Sequence, residues 1–210
     1  MNKRALLCVV ICGWSALAGT GADEHLVAGA RSFRGGRFGE ALVEFRVAEK
    51  MGSREAAGYA AASLLKLNRP EDAVEAFAAA EGVAPKFRDD LLDYYRATAC
   101  YQARLYGCAD RLLAGIGERA GPHIGAEVRR LRTSIARLLE REPTRGSVDW
   151  YHQQAARSAR QGKVLLAQGY LEEAAGLSAR RKDQYRGDEA RVSLARARGQ
   201  SRRPQAGTAR

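Results

Sequence analysis

Few side chains in this chain are suited to chemistry, and they are scattered. Cys100 and Cys108 could be joined as a disulfide or stand as two small buried thiols. Spacing leaves both readings open, because only geometry decides whether the sulfurs converge. No histidine or further cysteine lies nearby to complete four ligands, so no metal is expected. His25, His123 and His152 fall in three separate stretches, and the neighbouring acids Asp89-Asp90 and Glu172-Glu173 point apart on a helix and read as a solvated face. There is no glycine-rich phosphate loop, nucleophile elbow or His-Glu-x-x-His pair. The chain is therefore not expected to be an enzyme, and no cofactor is expected.

Charge is the next feature that could act. The formal net charge is +11, and much of the surplus lies near the end, where Arg180, Arg181, Lys182, Arg186 and Arg191 are opposed only by Asp183, Asp188 and Glu189. Such a segment suits anionic lipid, acidic polysaccharide or an acidic protein face, and a solvated basic tail without a partner is the alternative. Nucleic acid would fit on charge alone, but no recognised nucleic-acid motif stands beside the arginines.

The N-terminus reads as an address. Lys3 and Arg4 precede an apolar run from Ala5 to Ala18, and small-x-small patterns place a cut after Ala18 or Ala22. The run is too short to span a bilayer comfortably, although an uncleaved anchor or a buried helix is the competing reading. Residues 1–22 are thus expected to be a signal peptide and the mature chain periplasmic, with no transmembrane span. Its loss would take Cys8 and Cys12, leaving Cys100 and Cys108 in an oxidising compartment. Heavy use of Ala, Arg and Gly suits a bacterial source, but export from the cell rests on the leader alone.

The elements that must position these residues are helices. One spacing occurs four times: a small residue, alanine twelve positions on, a bulky apolar residue four further, and a mostly small residue three beyond. The copies are Gly29, Ala41, Phe45, Ala48; Ala61, Ala73, Phe77, Ala80; Ala97, Ala109, Leu113, Ile116; and Ala155, Ala167, Leu171, Ala174. A repeat on this scale predicts stacked helical hairpins, since one hairpin cannot bury its own apolar face. Turns are expected at Gly35-Gly36, Asn68-Arg69-Pro70 and Gln161-Gly162, with Pro70 opening its helix. The organisation so read is three hairpins over 23–116, a linker with a single amphipathic helix over 117–146, and a fourth hairpin with a capping helix over 147–198. The inserted helix, carrying Ile124, Val128, Leu131, Ile135 and Leu138 on one stripe, has no evident mate, and a disordered basic tail is expected over 199–210.

On these residues the chain resembles the tetratricopeptide repeat family, most sharply in Gly36-x-Phe38-x-x-Ala41-x-x-x-Phe45-x-x-Ala48 and in the second unit ending at Ala80 and Pro85. His25 and Ala57 stand where that family often has a large aromatic, and the third unit ends in Ile116. The resemblance implies an all-α fold, a right-handed array of antiparallel helical hairpins forming an α-solenoid. It also implies that the first helix of each pair lines a groove, at Leu26, Phe33, Arg34, Leu65, Lys66, Tyr94, Tyr101 and Gln102. The tyrosines could equally pack between hairpins. An Asn and Lys clamp for a terminal carboxylate, known in some members, would begin here at Leu26 and Ala30 and is not carried over. The expected function is an exported scaffold that binds a protein or peptide in assembling a cell-envelope complex. The alternative is a structural protein whose basic C-terminal segment docks on anionic lipid or polysaccharide.

Overall fold

The computed structural model describes residues 21–83, 89–116, 121–140, 145–180 and 193, and among these every regular element is an α-helix. Helix α1 (Gly21–Arg34) packs on α2 (Phe38–Lys50), α3 (Arg54–Lys66) on α4 (Pro70–Val83), and α5 (Asp90–Gln102) on α6 (Tyr106–Ile116). After α7 (Pro122–Glu140), a fourth pair follows in α8 (Arg145–Arg160) and α9 (Val164–Arg180). Apart from residue 193, the expected capping helix after residue 182 lies outside the described residues, as do the tail over 199–210 and the leader up to residue 20.

Four turns close the four pairs, and they are built alike. Each contains one residue with positive φ: Gly36 at 76°, Asn68 at 59°, Arg104 at 63° and Gly162 at 77°. In every copy the N–H of that residue donates three residues back, to Phe33, Leu65, Tyr101 or Ala159, and the next N–H donates five back, to Ser32, Leu64, Cys100 or Ser158. These bonds, 2.8–3.1 Å long, satisfy carbonyls that the ending helix leaves open. Glycine and asparagine suit the left-handed region, whereas Arg104 adopts it against the Cβ repulsion that normally excludes such residues.

The turn also sets where the alanine falls. The residue after each left-handed position, Arg37, Arg69, Leu105 or Lys163, accepts at its carbonyl the N–H of Ala41, Ala73, Ala109 or Ala167. Those alanines are thereby fixed in the first turn of the returning helix, and all four are buried. Small side chains there let two helices approach closely. One turn further on, Phe45, Phe77, Leu113 and Leu171 are buried as well. Gly29 makes room for the first of them: a Cβ at that position would lie 2.7 Å from the Phe45 ring. Aromatic rings act both within and between pairs: Phe33 meets Phe38 edge-on at 5.2 Å inside the first pair, and Phe45 stacks on Tyr59 at 5.5 Å to join it to the second.

Between pairs, α2 packs on α3, α4 on α5 and α3 on α5. The second half departs from the order expected of the sequence. α7 does have a mate, because its stripe lies on α5 and α6, with Val128 and Ile135 buried and Ile124 and Leu131 packed against the same core. The fourth pair sends α9 back onto α4 and α6. An amphipathic stripe states that a helix needs an apolar partner, but not which one.

An alanine slot set this tightly should reject volume. Ala73→Leu is expected to lower stability by about 1–3 kcal/mol through overpacking, whereas Ala79→Leu, at an exposed position of the same helix, should change it by less than about 0.5 kcal/mol. Urea unfolding midpoints of the two variants check the contrast.

Candidate functional site

The first helices of the three N-terminal pairs end on Arg34, Lys66 and Gln102, all exposed. A helix C-terminus carries partial negative charge, so cations are favoured at the first two ends. The Lys66 ammonium lies 4.8 Å above the Tyr95 ring, which meets Phe33 edge-on at 6.0 Å and Tyr94 at 6.2 Å. Contact between Phe33 and Tyr95 joins α1 to α5 across the face expected to be an open groove.

Three of the residues expected to face a partner are core residues instead. Leu26, Phe33 and Leu65 are 3%, 6% and 6% exposed, and burial of such apolar side chains is worth about 1.5–3 kcal/mol each, more than a water-facing position returns. What remains on this face is Arg34, Lys66, Tyr94, Tyr101 and Gln102. Tyr94 is half-buried beside Tyr95, and Tyr101 is half-buried against Tyr106 at 5.8 Å. Burial raises the pKa of both Tyr94 and Tyr95, that of Tyr95 to about 12. The arrangement offers aromatic contact area, neutral hydroxyls and cationic ends, a surface suited to binding.

Cys100 and Cys108 do converge, as free thiols with their sulfurs 3.1 Å apart. The hydrogen bond they share pushes the Cys100 thiol well above its ordinary range, with burial adding to the rise, and holds Cys108 below its own, aided by Arg96 and Arg111. Beside them the Glu173 carboxylate accepts from the N–H groups of Gly107 at 3.0 Å and Cys108 at 2.7 Å. Gly107 permits this approach, since a Cβ there would lie 3.1 Å from both carboxylate oxygens. Glu75 does the same for α9, accepting from Leu165 at 3.3 Å and Leu166 at 2.6 Å. Both acids occupy helix N-termini, where open N–H groups and the macrodipole favour an anion.

These caps correct the reading of the paired acids. Glu173 is buried, and Asp89 caps α5 through the Leu91 N–H at 2.8 Å while accepting the Tyr59 hydroxyl at 3.3 Å. Further contacts hold the fourth pair: Lys163 to Asp72 at 2.7 Å, the Tyr151 hydroxyl to the Arg104 carbonyl at 2.6 Å, and the Tyr170 hydroxyl to the Ala103 carbonyl at 3.3 Å. The hydrogen bond from Lys163 holds the Asp72 carboxyl below its usual range. Arg104, positioned by the same turn, places its guanidinium 5.3 Å from the Trp150 ring centre. Apart from Asp89, whose cap donor Leu91 is two residues away, these residues carry no signal in local spacing, because their partners are distant in sequence.

His25 lies 2.7 Å from the Glu44 carboxylate between α1 and α2, and the His152 Nε2 is buried without a hydrogen-bond partner among the described residues. The side chain of His123 lies outside the described residues. Among those described, no three His, Cys, Asp or Glu side chains gather as metal ligands, and no helix is long and apolar enough to cross a membrane. Arg180 ends α9, while Arg181, Lys182, Arg186 and Arg191 lie outside the described residues. Compared with known families and with curated proteins, the sequence matches no family model and no curated relative.

Two outcomes follow from this geometry. Glu173→Ala should cost about 2–3 kcal/mol, since it strips a charged acceptor from two helix-end N–H groups, while Glu173→Gln should lose less; chemical denaturation of each variant checks this. Burial also raises Tyr170 to about 12. A tyrosine neutral in the fold and ionised near about pH 10 when unfolded stabilises fully below that pH. Stability should therefore fall as pH rises from 10 toward 12, and Tyr95→Phe with Tyr170→Phe should flatten the fall in denaturation midpoints measured across that window.

Proposed function

We propose that this chain is an exported helical-repeat scaffold of the tetratricopeptide type that binds a protein or peptide partner during assembly of a cell-envelope complex. The observation that carries the repeat reading is the recurrence, at four helix pairs, of one turn with one left-handed residue and one buried alanine five positions on. Regular pairs of this kind present successive first helices side by side. The partner surface is then the row of helix ends at Arg34, Lys66 and Gln102 with the half-buried rings of Tyr94 and Tyr101. Aromatic rings supply contact area and orientation, and the cations favour a partner with acidic groups.

The leader reading supplies export. Of its two cuts, the one after Ala18 leaves α1 whole, whereas the one after Ala22 removes a residue buried in its first turn.

Crosslinking in intact cells, followed by mass spectrometric identification of captured proteins, tests the assignment. A folded variant combining Arg34→Glu, Lys66→Glu and Gln102→Ala is expected to recover the partner at least about tenfold less well. Unchanged recovery overturns the surface assignment, and a loss seen only on deleting residues 181–210 transfers it to the basic C-terminal segment.

A further inference from the structure

We propose that Cys100 and Cys108 form a reversible intramolecular disulfide that staples α5 to α6 at the point where α9 grips them. Their sulfurs lie 3.1 Å apart, so closure to a bond of about 2.05 Å needs a shift of about 1 Å. The backbones that carry them are already held. The Cys100 carbonyl accepts the Leu105 N–H at 2.8 Å within the turn, and the Cys108 N–H donates to Glu173 of α9 at 2.7 Å.

The two thiols differ in access. Cys100 is buried, while Cys108 is partly exposed in the first turn of α6, where the hydrogen bond from Cys100 and the nearby Arg96 and Arg111 guanidinium groups favour its thiolate. Cys108 is thus the attacking sulfur and Cys100 the resolving one. In the first step the Cys108 thiolate, its proton released to solvent, attacks one sulfur of an external disulfide, forming a mixed disulfide and expelling a thiolate. Cys100 then loses its proton and attacks the Cys108 sulfur, forming the internal bond and expelling the second thiolate. Two protein thiols are oxidised by two electrons, and one small-molecule or protein disulfide is reduced to two thiols.

The location gives the bond a consequence. α5 and α6 receive α4, α7 and α9, so a crosslink at their turn stiffens the hub on which the second half of the chain packs. This inference does not depend on the scaffold reading, since it rests on the sulfur geometry alone.

The test uses the full chain purified with reductant and then exposed to oxidised glutathione, alkylated and digested with trypsin. Cys100 and Cys108 fall on different peptides, Ala97–Arg104 and Leu105–Arg111, whereas Cys8 and Cys12 share another. The expected product is the two peptides linked and lighter by two hydrogen atoms than their sum, released by dithiothreitol, with a thermal midpoint about 5 °C above that of the reduced protein. Recovery of both peptides alkylated, each carrying glutathione, or linked to Cys8, Cys12 or another chain overturns the proposal, as does a midpoint that oxidation leaves unchanged. For the order of attack, Cys100→Ser should let Cys108 take up glutathione about tenfold faster than Cys100 does in Cys108→Ser. The reverse order would reassign the attacking sulfur.

Discussion

In each helix pair the close approach of the two helices depends on a single backbone event, one residue entering the left-handed region two positions after the first helix ends. That residue and its successor return two N–H groups to the ending helix, and the successor's carbonyl receives the alanine that begins the interface. Register is therefore set by the turn before any side chain packs. Because the alanine is fixed five positions beyond the left-handed residue, the bulky residue four further on points into the same interface, and the core of the pair follows. Where glycine or asparagine fills the position the backbone adopts it cheaply. Arg104 is the exception, and its surroundings offset the cost: its carbonyl accepts from Tyr151 and its guanidinium lies over Trp150.

The same turn thus serves a second purpose in the third pair. By projecting the carbonyls of Ala103 and Arg104 outward, it supplies acceptors for the hydroxyls of Tyr170 and Tyr151, and the fourth pair is anchored there. Two acids complete the attachment by occupying helix N-termini, Glu75 at α9 and Glu173 at α6. A buried carboxylate is tolerable only where its lone pairs meet donors, and the open N–H groups of a helix start provide them. Polar contacts of this kind specify where α9 sits, while apolar burial supplies most of the attraction.

The surface offered by α1, α3 and α5 follows from the same economy. Most apolar side chains on these helices turn inward, with Val27 of α1 exposed, and Phe33 and Tyr95 meet across the face, so the helix ends present their polar residues and the rims of two tyrosines. Cys100 and Cys108 belong to the interior of the third pair rather than to this surface, although Cys108 retains access to solvent.

Much of this architecture was legible in residue spacing. The fourfold pattern predicted the four pairs, the glycine and asparagine turns marked three of their four closures, and Pro70 began its helix as expected, because helix periodicity and turn chemistry are local properties. Arg104 concealed the fourth turn, since nothing in an arginine announces positive φ. The site was less legible. The family resemblance implied that Leu26, Phe33 and Leu65 face a groove, but their exposure depends on which helix covers them, and that is a matter of packing. For the same reason Glu173 read as a solvated acid until its distant donors were in place, and α7 read as unpartnered until α5 and α6 were set beside it; Asp89, by contrast, caps α5 through the nearby Leu91 N–H. The sequence by itself determined the helices, three of the four turns and the register within each pair, all interactions between residues close along the chain. Only the tertiary structure decided where α7 and α9 dock, which side chains remain outside and that the two sulfurs meet, because each of these depends on the relative placement of whole helices.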